Sequence, residues 1–119
     1  MITIRPDQIE ALHEAQFVRW LRDHVKHYFS TTMARLDETD LSAFIAKGMR
    51  TARGYGFVTA EDICQYIDLM CALGPDFDRD PAISWARDLL TDPGIAEPAV
   101  RMDLLVDAAH DHQQHMPIR

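Results

Sequence analysis

The chain has 119 residues, is 47% hydrophobic and 26% charged, and carries a formal net charge of −7. That composition excludes a disordered polypeptide, and a chain of this length buries enough surface to fold as one globular domain over residues 1–119 without disulfides or a metal. The acid is uneven, with 9 acidic against 4 basic residues over 76–119 and 10 against 8 over 1–75, and a surface of that sign repels phosphate backbones and disfavours a nucleic-acid partner.

Taken in chain order, residues 2–4 read as a short extended lead-in, and Pro6 suits the first turn of a helix, where its missing N–H costs nothing. Asp7 and Glu10 place negative charge at the helix N-terminus, which its dipole favours. Ile9, Leu12, Phe17, Val18, Leu21, Val25, Tyr28 and Phe29 recur at spacings of three and four, with a phase slip near Ala15 and Gln16. This is either one long helix or two joined by a kink. Ser30-Thr31-Thr32 reads as a break. Thr39 or Asp40 caps a second helix, with Leu41, Phe44, Ile45, Met49 and Ala52 as its apolar face. Gly54-Tyr55-Gly56 stops it.

Thr59 opens a third helix, and Thr59 with Asp62 approximates a capping box. Ile63, Tyr66, Ile67, Leu69, Met70, Cys71 and Leu73 give this helix an apolar surface much wider than one stripe. Such a helix is central in its domain, or faces a partner as well as the core. Gly74 and Pro75 end it. Asp80-Pro81 pairs a cap with a first-turn proline and starts a fourth helix, with Ile83, Ala86, Leu89 and Leu90 inward. Asp92-Pro93-Gly94 stops that one. Glu97-Pro98 starts a fifth, with Met102, Leu105, Val106 and Ala109 inward, fraying near His115. No stretch alternates with period two. The expected fold is all-α, a compact bundle of about five helices joined by short Pro- and Gly-marked turns.

Cys64 and Cys71, on one helix, lie roughly 10 Å apart along its axis. That is beyond disulfide reach, so they read as small buried thiols in a reducing compartment. MITIRPDQIEALHE has no basic region followed by an apolar core, and no apolar run approaches the roughly 20 residues of a membrane span. The expectation is a cytoplasmic protein with no membrane partner.

The residues with chemical potential do not assemble into a catalytic pattern. Asp76, Asp78 and Asp80 alternate as in a calcium loop, but the loop's sixth position is Pro81 and its twelfth is Arg87, where glycine and a bidentate glutamate belong. The reading is instead a corner, with Gly74, Pro75, Asp80 and Pro81 as its structural turn and Phe77 packing it onto the core. His24 and His27, and His110, His112 and His115, lack the convergence and spacing of a zinc site. There is no GxSxG elbow, and no glycine-rich phosphate loop. No cofactor and no metal are expected, and the chain reads as a non-enzyme. Arg50 and Arg53 suit the end of their helix as dipole partners. A helix-turn-helix reading of Gly54 and Gly56 fails because TAEDICQYIDLM begins with two acids and has no Lys or Arg.

The stretch YGFVTAEDICQYIDLMCALGPDFDRDPAISWARDLLTDP, residues 55–93, followed by RMDLLVDAA, residues 101–109, resembles small bacterial proteins encoded beside type VI secretion spike, PAAR and effector genes. The resemblance implies a cytoplasmic adaptor or co-chaperone that holds a secretion effector, or its dedicated chaperone, before loading. It implies that Tyr55, Asp62, Tyr66, Asp68, Phe77, Asp80, Pro81 and Trp85 shape the presented surface or the turn behind it. Together with the wide apolar helix, this makes Tyr55, Tyr66, Leu69, Leu73, Phe77 and Trp85 the candidate protein-binding residues. The alternative is an immunity protein, whose acidic C-terminal half suits a basic toxin. Oligomeric state is left open.

Overall fold

A computed structural model describes the backbone of residues 6–114, and within it the side chains of residues 13–31 and 33–113. The expected lead-in at 2–4, the side chains of Ile9 and Leu12, and the fraying at His115 lie outside the described residues. Among these the protein is all-α, with no strand. Helices α1 (Pro6–Tyr28), α3 (Glu38–Gly54), α4 (Ala60–Leu73), α5 (Ser84–Thr91) and α6 (Pro98–Gln114) correspond to the five expected from sequence, and α2 (Ser30–Met33) is a single extra turn. The chain divides into two compact units, residues 1–45 and 46–119. The division falls inside α3, where no linker composition marks it.

In the first unit, α1 is one continuous helix through Ala15 and Gln16. The break that sequence placed at Ser30-Thr31-Thr32 is at Phe29, whose φ of −127° and ψ of 39° leave the helical region. The three polar residues instead wind into α2, and the Met33 N–H donates to the Phe29 carbonyl at 2.9 Å. The cap of α3 is Asp37, ahead of the expected Thr39 or Asp40: its Oδ1 accepts the Asp40 N–H at 2.7 Å. The shift has a plain cause. Asp37 holds the earlier acceptor, which leaves Glu38 and Asp40 in the first turn, where the dipole favours them. Leu21, Val25, Met33, Leu41 and Ile45 form the buried apolar set. Glu38 receives both Arg22 and Lys26, one turn apart on α1.

In the second unit, α3 continues to Gly54, and Gly56 supplies the positive φ of 94° that turns the chain. Thr59 caps α4 by accepting the Asp62 N–H at 3.1 Å, as expected. Gly48 sits where α3 meets α4: a Cβ there would come within 2.7 Å of Ile67 Cγ1 and 2.9 Å of Met70 Sδ. The two helices approach this closely because glycine has no side chain. Gly74, at φ 115°, ends α4 with its N–H on the Met70 carbonyl. Two 3₁₀ turns follow, Phe77–Arg79 and Pro81–Ile83, before α5. The fourth helix therefore starts in two stages. Asp80 and Pro81 open a 3₁₀ turn, with Asp80 Oδ1 accepting the Ala82 N–H at 2.9 Å, and regular α-helix begins at Ser84 because Ile83, at φ −128°, interrupts the winding. α4 packs on α6, and α5 packs on α6 and on the first 3₁₀ turn. Tyr66, Phe57, Phe77, Ile63, Ile67, Met70, Leu90, Met102 and Leu105 are the large side chains closed off at the centre.

Candidate functional site

The corner between α4 and α5 assigns the three alternating aspartates three separate tasks. Asp76 is exposed and receives the Lys47 ammonium from α3. Asp78 is 4% exposed and accepts the Tyr55 hydroxyl at 2.8 Å. Asp80 caps the next turn. Their carboxylates are held by different partners. An open cavity of about 330 Å³ is lined by Leu73, Gly74, Pro75, Asp76, Phe77, Arg79 and Asp80. Its polar side chains include the carboxylates already engaged by Lys47 and Ala82, and its lining holds no histidine, cysteine, serine or threonine.

Beneath the corner, Tyr66 is the hub of an aromatic cluster, with ring centroids 5.0 Å from Phe77, 6.1 Å from Phe57 and 6.3 Å from Tyr55. Burial pushes the Tyr66 phenol well above its ordinary range, and the nearby Asp78 carboxylate adds to this. Its hydroxyl is buried with no protein hydrogen-bond partner. Burial also raises Tyr55, and its hydrogen bond to Asp78 holds it as a protonated donor.

These positions redistribute the residues that sequence marked for protein binding. Tyr66, Leu69 and Phe77 are interior, at 0%, 6% and 1% exposure, so they build the core and are not a contact surface. Tyr66 and Leu69 belong to α4, whose wide apolar surface is met by both α6 and the 3₁₀ turn that Phe77 opens. Tyr55, Leu73 and Trp85 are half-buried, and Trp85 lies against His112 of α6 with ring centroids 5.8 Å apart.

Cys64 is buried and Cys71 half-buried. Burial, with Asp68 adding to it, pushes both thiols from their ordinary 9.0 up to about 12. Groups that ionise less readily folded than unfolded contribute stability that is intact below the unfolded value, 9.0, and lost as pH rises toward about 12. Alkaline unfolding followed by circular dichroism is therefore expected to begin just above pH 9. Replacing both cysteines by alanine should move the onset upward relative to the variant's own stability at neutral pH. An onset that stays put would remove the thiols as the cause.

Among the described residues, the large apolar side chains left in solvent include two aromatics, Trp20 at 53% and Tyr28 at 69% exposure, both on α1. They belong to a row of rings along one side of that helix. Trp20 stacks on Phe17 at 6.4 Å and on His24 at 5.0 Å, tilted by only 16° and 17°. His24 meets Tyr28 at 4.9 Å, and His27 meets the same ring edge-on at 4.7 Å. Positions 17, 20, 24 and 28 follow the helical repeat, so each ring lies over the preceding turn. Sequence reasoning counted Phe17 and Tyr28 with the inward residues and passed over Trp20. The signal that finds the row is this second aromatic series, out of phase with the buried Leu21 and Val25. Each ring is held against its neighbour, so Trp20 and Tyr28 lose little side-chain freedom on contact. Trp and Tyr in such a setting are the residue types that dominate protein interfaces.

In comparisons with known proteins, no family model, no curated protein and no solved structure matches this chain. No helix among the described residues is long and apolar enough to cross a membrane.

Proposed function

We propose that this chain is a non-enzymatic protein-binding adaptor or co-chaperone in type VI secretion, holding an effector or that effector's dedicated chaperone before loading onto the spike. The observation that carries the binding role is the Phe17–Trp20–His24–Tyr28 row of α1, a line of touching rings from which Trp20 and Tyr28 stand out in solvent while Phe17 and His24 are half-buried. The secretion context rests on the resemblance of residues 55–93 and 101–109. A face of this kind is suited to closing over a partner helix or loop, with Trp20 and Tyr28 as anchors.

The test is co-expression with the products of neighbouring secretion genes, followed by size exclusion. A stable complex with an effector or its chaperone is expected. Trp20→Ala with Tyr28→Ala should weaken it by at least about tenfold. Both side chains are largely exposed, so the variant should keep its melting temperature to within a few degrees. Elution of the chain alone with every neighbour would end this reading. Rescue of cells expressing a toxin domain by itself would reassign the protein as an immunity factor.

A further inference from the structure

The outer face of α6 carries a second surface, independent of the α1 row. Met102, Leu105 and Ala109 of α6 are buried. On the opposite side Val100 and Leu104, one turn apart, are 46% and 40% exposed. Asp103 and Asp107 run beside them at the same four-residue interval, both exposed, and Asp111 continues the row. The only Lys or Arg in α6 is Arg101. It is turned away from this face, donating to the carbonyls of Tyr55, Asp92 and Ile95. An aliphatic pair is thus bordered by the Asp103 and Asp107 carboxylates, with no Lys or Arg of α6 beside it.

This arrangement works against the helix that carries it. Like charges four residues apart destabilise a helix. A face serving only solubility is better built from mixed signs. Local disfavour of this kind, retained on a surface, is characteristic of a binding site.

We propose that this face docks a basic amphipathic helix of a protein partner. Val100 and Leu104 seat the partner's aliphatic side chain, and Asp103 and Asp107 pair with its lysines or arginines. The sign of the charge selects this occupant. A second copy would set acid row against acid row, and nucleic acid or an anionic bilayer would be repelled. The chain's net charge of −7 steers the same class of partner at longer range.

The experiment titrates the isotope-labelled chain with a five-turn amphipathic peptide of leucine, alanine and lysine, and with its counterpart carrying glutamate for lysine. Amide shifts are expected on the outer face of α6 with the lysine peptide only. Leu104→Glu should weaken binding about tenfold, and Asp103→Asn with Asp107→Asn about fivefold. Glu61→Gln with Asp88→Asn removes the same charge from exposed sites elsewhere and should change affinity by less than about twofold. Asp107→Asn alone should weaken binding while raising the melting temperature by about 2–4 °C, because two like-charge neighbours are relieved. The proposal is overturned if the control pair weakens binding as much as the α6 pair, or if the glutamate peptide binds equally. It is also overturned if the shifts centre elsewhere, or if Asp107→Asn lowers stability and affinity together. Trp20→Ala should leave the peptide affinity unchanged, so failure here and failure of the α1 reading are separable.

Discussion

Phe77→Ala is expected to lower the free energy of unfolding by about 3–5 kcal/mol, the range for deleting a fully buried aromatic ring. Phe77 is 1% exposed, and its ring lies 5.0 Å from that of Tyr66. It is the first residue of the 3₁₀ turn that follows α4, and α5 packs on that turn. Its loss therefore opens a cavity under the corner and loosens the seat of α5 together. The neighbouring Asp78 depends on the same anchoring: its carboxylate is buried and accepts the Tyr55 hydroxyl at 2.8 Å only while the turn holds its place. Phe77→Leu should recover roughly half of the loss, because it refills part of the volume. Tyr66→Phe, measured in the same urea series, should move the other way by about 1 kcal/mol, since it deletes a buried hydroxyl that has no protein partner. A Phe77→Ala variant within 1 kcal/mol of the parent (about a fivefold change in the unfolding equilibrium) would show that the corner is held by its backbone and not by this ring.

The punctuation of the helices was legible because it is local chemistry. The Thr59 hydroxyl, the Gly74 backbone and the Asp80-Pro81 pair each act within a turn of their own position, and the structure uses each as a cap, a stop or a start. What failed locally failed by competition. Asp37 displaced Thr39 and Asp40 as a cap because it offers its acceptor first, and Ile83 delayed α5 by one 3₁₀ turn. The surfaces were much less legible. Apolar spacing reports that a helix has a face, and says nothing of what covers it. Tyr66 and Leu69 read as surface candidates because α4 is apolar on several sides, yet α6 and the corner close over it. Trp20 and Tyr28 occupy equally regular positions and remain in solvent. The three aspartates of the corner are identical in sequence terms. Only their surroundings distinguish an ion-pair partner, a buried acceptor and a cap.

Arg101→Ala should cost about 2–4 kcal/mol, and Arg101→Lys nearly as much. The guanidinium reaches Tyr55 O at 3.3 Å with one terminal nitrogen, and Asp92 O at 3.2 Å and Ile95 O with the other. Tyr55 follows directly on the end of α3, where the helix dipole leaves partial negative charge, and Asp92 and Ile95 lie in the connection from α5 to α6. One side chain thus ties the first turns of α6 to two other segments. A lysine keeps the charge but presents it as a single point, and one ammonium cannot reproduce a planar fork spanning carbonyls on separate loops. Urea unfolding measures the global cost. Hydrogen exchange at the amides of residues 99–105 measures the local one, and both variants should speed exchange there before the rest of α6. The consequence extends to binding. With its sole Arg or Lys committed inward, α6 presents Val100, Asp103, Leu104 and Asp107 as a fixed surface, and loosening the clasp should blur that surface without removing any residue from it. If Arg101→Lys unfolds within about 0.5 kcal/mol of the parent, the interaction is ordinary surface electrostatics, and the position of α6 is set by Met102 and Leu105 alone.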